Sequence, residues 1–198
     1  MGSLDWKPMK PIGRRDALLV VDPQNDFCPG GALAVSDGDR IFDNVNRLTP
    51  RFGHVLATQD WHPANHSSFQ TQGGPWPVHC VQSSHGAAFH ARLHPERIQQ
   101  VIQKGLDVGT DGYSGFAGTD LAARLRNLGV ERLVLCGLAT DYCVRATALE
   151  ALRNGFEAAV VTDAIAAVNV HPDDGQKALD EMTAAGVELV NTAEVLAA

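Results

Sequence analysis

At 198 residues, 44% hydrophobic and 20% charged, the chain is long enough for one domain with a sizeable core and has the composition of an ordinary globular protein. A net charge of -7 argues against a general binder of nucleic acid or of an anionic membrane. No stretch approaches the roughly 20 apolar residues of a membrane span, and four cysteines with no CxxC pair read as reduced thiols of a cytoplasmic protein.

The opening "MGSLDWKPMKPIGRR" has basic residues but no apolar run behind them, so it is not expected to be a signal peptide, and Trp6 breaks the myristoylation pattern. Residues 1–14 read as a loose polar arm and 15–198 as one domain. "ALLVV" (17–21) is a short apolar run ending in Asp22-Pro23 and predicts a buried strand. "SDGDRIFDNVNRL" opens with the cap residues Ser36 and Asp37 and continues at helical spacing. "HVLATQD" (54–60) predicts a second strand. From 61 to about 95 runs a long irregular segment, whose Trp61, Phe69 and Trp76 argue against disorder.

"QQVIQKG" (99–105) is a weaker strand. "TDLAARLRNLGV" predicts a helix capped by Thr119 or Asp120 and stopped by Gly129. "RLVLCGL" is a strong strand, and "TDYCVRATALEALRNG" a helix running to Gly155 with Thr140 as its cap. "EAAVVTD" is a strand, "HPDDGQKALDEMTAAG" a helix with Pro172 near its first turn, "VELVN" a last strand and "TAEVLA" a short helix. Strands alternating with helices predict a single-domain α/β protein. Its form is a Rossmann-like three-layer sandwich, with a mainly parallel sheet of about six strands and helices on both faces. Ligands of such sheets bind beyond the carboxyl ends of the strands.

Four strands in a row finish there on chemically capable groups: Asp22, then Asp60 with His62, then Lys104, and then "GLATDY" leading to Cys143. Any one of them has a structural explanation, as a turn residue or a solvated cation. Their convergence on one sheet edge is the stronger observation. Cys143 falls in the first turn of a predicted helix, where free N–H groups, the helix dipole and a nearby ammonium favour a thiolate. Lys104 is the candidate ammonium and Asp22 the candidate base for the thiol proton. Cys136 lies inside "LVLCG" and reads as a packed core residue, which makes a Cys136–Cys143 disulfide a poor alternative.

Seven of the eight histidines fall between His54 and His94. In "DWHPANH" an extended backbone would point Asp60 and His62 the same way, with His66 close by, and "WPVHC" adds His79. One carboxylate with two or three imidazoles suits a divalent transition metal, zinc first and iron or manganese next, in an open site. The competing reading is a hydrogen-bonded loop without metal. Cys80, His54, His85, His90, His94 and His171 read as structural or surface groups.

"VVDPQNDFCPGGALAV", "TQDWHPANHSSF", "WPVHC", "QKG", "YSGF" and "CGLATDYCVRATALEAL" occur in the order seen in nicotinamidases. The chain therefore resembles that family of cysteine amidohydrolases, often also pyrazinamidases, within the isochorismatase-like superfamily. The likeness covers nearly everything after about residue 15. It implies a catalytic triad of Asp22, Lys104 and Cys143, and a metal held by Asp60, His62 and His79, with His66 at a variable ligand position. It implies a cis peptide at Leu138–Ala139, with the backbone N–H groups of Ala139 and Cys143 forming an oxyanion hole. Phe27, Trp76 and Tyr113 fall where the family lines its ring pocket. Tyr142 stands where a histidine is common, and the segment from Lys104 to Tyr113 is longer than in some members.

The implied reaction takes a small aromatic carboxamide, nicotinamide or pyrazinamide, to the acid and ammonia through a thioester, as in NAD salvage. The implied partner is that small molecule, with no nucleic acid and no membrane, and a homo-oligomer is left open. Two rivals stand beside it: an amidase of the same superfamily acting on another small amide, and a non-catalytic metal-binding protein of this fold.

Overall fold

A computed structural model describes residues 9–198. Six parallel strands form one sheet: β1 (Asp16–Val21), β2 (His54–Asp60), β3 (Gln100–Lys104), β4 (Arg132–Leu138), β5 (Glu157–Ala166) and β6 (Glu188–Val190). Their order across the sheet is β3-β2-β1-β4-β5-β6. The chain builds outward from β1 on one side and then restarts at β4 on the other. The β1/β4 boundary is thus the topological switch point, where a crevice opens at the carboxyl edge.

β1 and β4 are buried along their whole length, as expected of strands covered on both faces. Alternation then sorts their side chains. Leu18 and Val20 face a core layer with Ile41, Phe42, Val45 and Leu48 of α1 (Ile41–Leu48) and Val195 of α5 (Thr192–Ala197). Ala17, Leu19 and Val21 face the opposite layer. There they meet Leu121 and Leu125 of α2 (Leu121–Asn127), Ala148 and Ala151 of α3 (Arg145–Arg153) and Met182 of α4 (Asp174–Ala185). The buried positions of α1 recur at the i, i+4, i+7 spacing of a one-faced helix, and each buried Leu or Ile contributes about 1.5–3 kcal/mol. None of the helices described is long and apolar enough to cross a membrane.

Several local expectations give way to packing. α1 begins only at Ile41, after a 3-10 turn at Gly38–Arg40, and Asp37 sits at φ 54 without capping by its side chain. Pro172 lies just before α4, as expected, and Asp173 between them sits at φ 69. The predicted helix from Thr140 opens as a π-helical turn, Thr140–Val144, and becomes α-helical only at Arg145. The arm is a further correction. Residues 1–8 lie outside the described residues, but Met9 and Ile12 pack against the core, and Arg132 donates to the carbonyls of Lys10 and Pro11. From Met9 onward the arm is therefore docked.

One glycine shapes the crevice. Gly137 near the end of β4 has φ +115, and a Cβ there would meet the Val21 carbonyl at 2.1 Å. β4 slips its register against β5 at this point. The strand can pass so close to β1 only because residue 137 has no side chain.

Candidate active site and metal centre

Asp22 follows β1 at φ 44, a left-handed conformation that aspartate tolerates better than most residues. Thr58 of β2 locks it: the Thr58 hydroxyl accepts from the Asp22 N–H at 3.0 Å and donates to Asp22 Oδ1 at 2.6 Å. Asp60 and Lys104 end their strands as a register pair. Lys104 Nζ meets Asp60 Oδ1 at 2.6 Å, the Gly112 carbonyl at 2.8 Å and Cys143 Sγ at 3.4 Å. Those three acceptors match its three protons. Asp22 Oδ2 lies 2.8 Å from Nζ as an ion-pair partner. Carboxylate oxygens of Asp22 and Asp60 and the Cys143 sulfur all lie within 4.8 Å of one another. The structure thus brings Asp22, Lys104 and Cys143 together, all buried.

Burial dominates the electrostatics. It pushes the Asp22 carboxyl above its usual range despite the ammonium beside it. Burial works against charge on Lys104, but Asp22 and Asp60 outweigh it and hold the ammonium charged. Burial also pushes the Cys143 thiol well up, and Lys104 offsets this only in part. The buried turn beside two carboxylates thus works against the thiolate that the helix start and the ammonium favour. The Leu138–Ala139 peptide is cis, and Ala139 and Cys143 both face the pocket. Cys136 is buried within β4 and unpaired, as are the other described cysteines.

The histidines come from the long loop. His62 follows β2, and backbone bonds from His62 N to the Cys80 carbonyl and from Gln82 N to the His62 carbonyl zip its start to residues 80–82. That zipper brings His79 beside His62, with ring centroids 5.1 Å apart over a buried Phe69. Ligand atoms of Asp60, His62 and His79 lie within 4.8 Å of one another. His62 Nδ1 faces the Gly105 carbonyl at 3.0 Å, and His79 Nδ1 faces the Pro77 carbonyl at 2.7 Å. A carbonyl only accepts, so Nδ1 of each ring donates and Nε2 of each ring is left to face the site. His62 Nε2 lies 3.5 Å from Asp60 Oδ2, and, against burial, that carboxylate raises the ring's affinity for a second proton. With both imidazoles neutral, this donor set fits a divalent transition metal with open positions for exogenous ligands. Gly105 makes room: at φ +64, a Cβ there would meet the His62 ring at 2.3 Å.

His66 is placed differently. Its ring stacks on His62 with centroids 4.1 Å apart, but it falls outside the tight donor set. Its Nδ1 accepts from the Ser68 N–H at 3.3 Å and lies 2.7 Å from the Ser68 hydroxyl, while Nε2 is buried without a partner.

A narrow, mostly apolar pocket joins the two groups and is lined by Phe27, Trp76, Tyr113, Tyr142, His79 and Cys143, among others. Trp76 Nε1 donates to Tyr113 Oη at 2.9 Å, and Tyr142 packs edge-on to Trp76 at 4.9 Å. All three ring residues named from the sequence, Phe27, Trp76 and Tyr113, reach this pocket. Sequence reasoning missed several neighbours. Gln24 donates to the Asp60 carbonyl and accepts from the Asp60 N–H, both at 2.8 Å. Asp26 accepts from the Cys80 N–H at 2.7 Å. Leu33 and Val168 line the pocket.

The model of the isochorismatase domain matches residues 16–194. The nicotinamidase of Escherichia coli is 44% identical, over 90% of this chain and 95% of its own. The pyrazinamidase of Pyrococcus horikoshii, solved in complex with zinc, superposes with a TM-score of 0.84 at 49% identity, over 89% of this chain and 99% of its own. PnC1 of L. infantum, solved with nicotinate, superposes with a TM-score of 0.89 at 41% identity, over 93% and 97% of the two chains. With the domain model spanning nearly the whole chain and relatives this similar along its length, the protein belongs to the isochorismatase family.

Proposed function

We propose that the protein is a nicotinamidase, hydrolysing nicotinamide to nicotinate and ammonia, and pyrazinamide likewise, through a thioester on Cys143. One observation carries the reading: a buried Asp22–Lys104–Cys143 cluster shares an aromatic-lined pocket with the Asp60, His62 and His79 donor set. The zinc-bound and nicotinate-bound relatives support both halves of it.

The derivation starts from a neutral thiol. Asp22 Oδ2 has an uncommitted lone pair and a raised affinity for a proton, so it takes the Cys143 proton as the substrate enters. The thiolate forms 3.4 Å from the Lys104 ammonium, which stabilises the charge. Sulfur attacks the carboxamide carbon, and the N–H groups of Ala139 and Cys143 receive the developing oxyanion. Asp22 returns the proton to the departing nitrogen, ammonia leaves, and the acyl group stays on sulfur. Water then attacks the thioester while Asp22 takes its proton; the C–S bond breaks, the sulfur is reprotonated, and the acid leaves.

Asp60, His62 and His79 would hold one divalent ion, zinc in our assignment, with His66 beside them. Bound there, the ion supplies Lewis-acid affinity for a ring nitrogen of the substrate. Phe27, Trp76 and Tyr113 would flank the flat ring and exclude water. Nicotinate is the form in which the ring re-enters pyridine-nucleotide synthesis, so we place the reaction in NAD salvage, in the cytoplasm. Ammonia release from a panel of amides, by metal-loaded and chelated protein, tests the reading. The expected result is release from nicotinamide and pyrazinamide, lost on chelation. Release only from aliphatic amides would overturn it.

A further inference from the structure

We propose that the loop between β5 and α4 is the specificity wall of this site and that Asp141 is its positioning residue, an inference that rests on the function proposed above. Asp141 is buried in the turn that carries Cys143, two residues before it. It does not itself line the pocket. Both of its oxygens go to consecutive backbone amides of the loop: Oδ1 accepts from Val168 N–H at 2.9 Å, and Oδ2 accepts from Asn169 N–H at 2.8 Å. A carboxylate holding two adjacent N–H groups is a charge-assisted clamp, stronger and more directional than two neutral bonds.

The far side of the loop is pinned as well. Asn169 turns at φ 52, and its side-chain oxygen accepts from Gly175 N–H at 2.8 Å, in the first turn of α4. Gly175 packs so closely that a Cβ would meet the Ala167 Cβ at 2.6 Å. Held at both ends, the loop turns Val168 into the pocket with Cys143 and Tyr142, while Val170 points outward, 52% exposed. Ordinarily a surface loop is referenced to solvent and drifts. This one is referenced to the nucleophile's own turn, so the spacing between sulfur and wall is fixed. The substrate class it selects is the flat, unsubstituted six-membered aromatic carboxamide, and ring substituents on that side meet Val168.

The test uses Asp141→Asn and Val168→Ala in the metal-loaded protein. Asp141→Asn should speed amide exchange at Val168 and Asn169 and raise KM for nicotinamide about tenfold while kcat falls by less. Val168→Ala should erode discrimination between nicotinamide and its ring-methylated analogues about tenfold, the usual effect of one methyl group in a pocket. Unchanged exchange at the two amides, or a fall in kcat as large as the fall in kcat/KM, would remove Asp141 from this role. Unchanged discrimination in Val168→Ala would remove the wall, and that variant decides the matter if Asp141→Asn does not fold. Faster exchange in Asp141→Asn, in a protein whose wild type releases no ammonia from nicotinamide, would overturn the function and keep the clamp.

Discussion

The two halves of the site are built in opposite ways. Asp22, Asp60 and Lys104 stand at the ends of adjacent parallel strands, where register alone brings them together. His62, His66 and His79 stand on a loop without regular strands, held by a few backbone bonds and one buried phenylalanine. The sheet half is dry and ion-paired, and its groups hold each other's charges. In the loop half the rings are aimed by carbonyls. In the proposed reaction the proton path would run through the rigid frame, while ligand capture would fall to the loop.

Breaking the sheet half should have the largest effect. Cys143→Ala removes the acyl acceptor and should lower the rate of ammonia release roughly a thousandfold or more, with the circular dichroism spectrum unchanged. Residual activity near wild type would end the covalent mechanism. Lys104→Met leaves Asp22 and Asp60 facing each other without their cation. Loss of one partner from such a buried group costs about 3–5 kcal/mol, so urea unfolding should shift accordingly and activity should vanish. A fully stable variant would mean the charges are not coupled as the distances imply.

The loop half should yield by smaller steps. Gln24→Leu takes both hydrogen bonds from the Asp60 backbone, and outer partners of this kind are worth about tenfold or more in metal affinity. Competition with a chromogenic chelator measures it; an affinity equal to wild type would assign Gln24 to folding alone. The mildest probe is pH. Burial raises the Asp22 carboxyl, and the reaction needs it ionised. The rate should therefore fall as pH drops through that raised value, above the ordinary carboxylate range near about 4. An acid limb at the ordinary value would mean that Asp22 is not the base.

The same contrast explains what was legible in the sequence. Strand ends announce themselves, since an apolar run stopping at Asp22 or Lys104 fixes both the element and the edge its last side chain reaches. The π-helical turn left no pattern, because Thr140–Val144 is polar and apolar in a mixture that any helix start could show. The upward push of burial on the Cys143 thiol was hidden for a related reason. Proximity to an ammonium can be guessed from strand order, but how completely the turn is buried depends on loops from elsewhere in the chain. Asp141 and Gln24 were invisible because their partners are backbone groups 27 and 36 residues away, and backbone carries no sequence signature.

The strand order also sets a timetable for synthesis. As the chain leaves the ribosome, β1, β2 and β3 emerge first, with Asp22, Asp60 and Lys104 all present by residue 104. The far edge of β1 has no neighbour until β4 arrives, and that edge belongs to a strand buried throughout in the finished sheet. A nascent chain of that length holds the base and the ammonium but lacks the sulfur, and it presents an open apolar edge of the kind that invites mispairing. Insertion of β4 closes the edge and brings in the turn that carries Cys143, so the sulfur joins Asp22 and Lys104 only as the sheet is sealed.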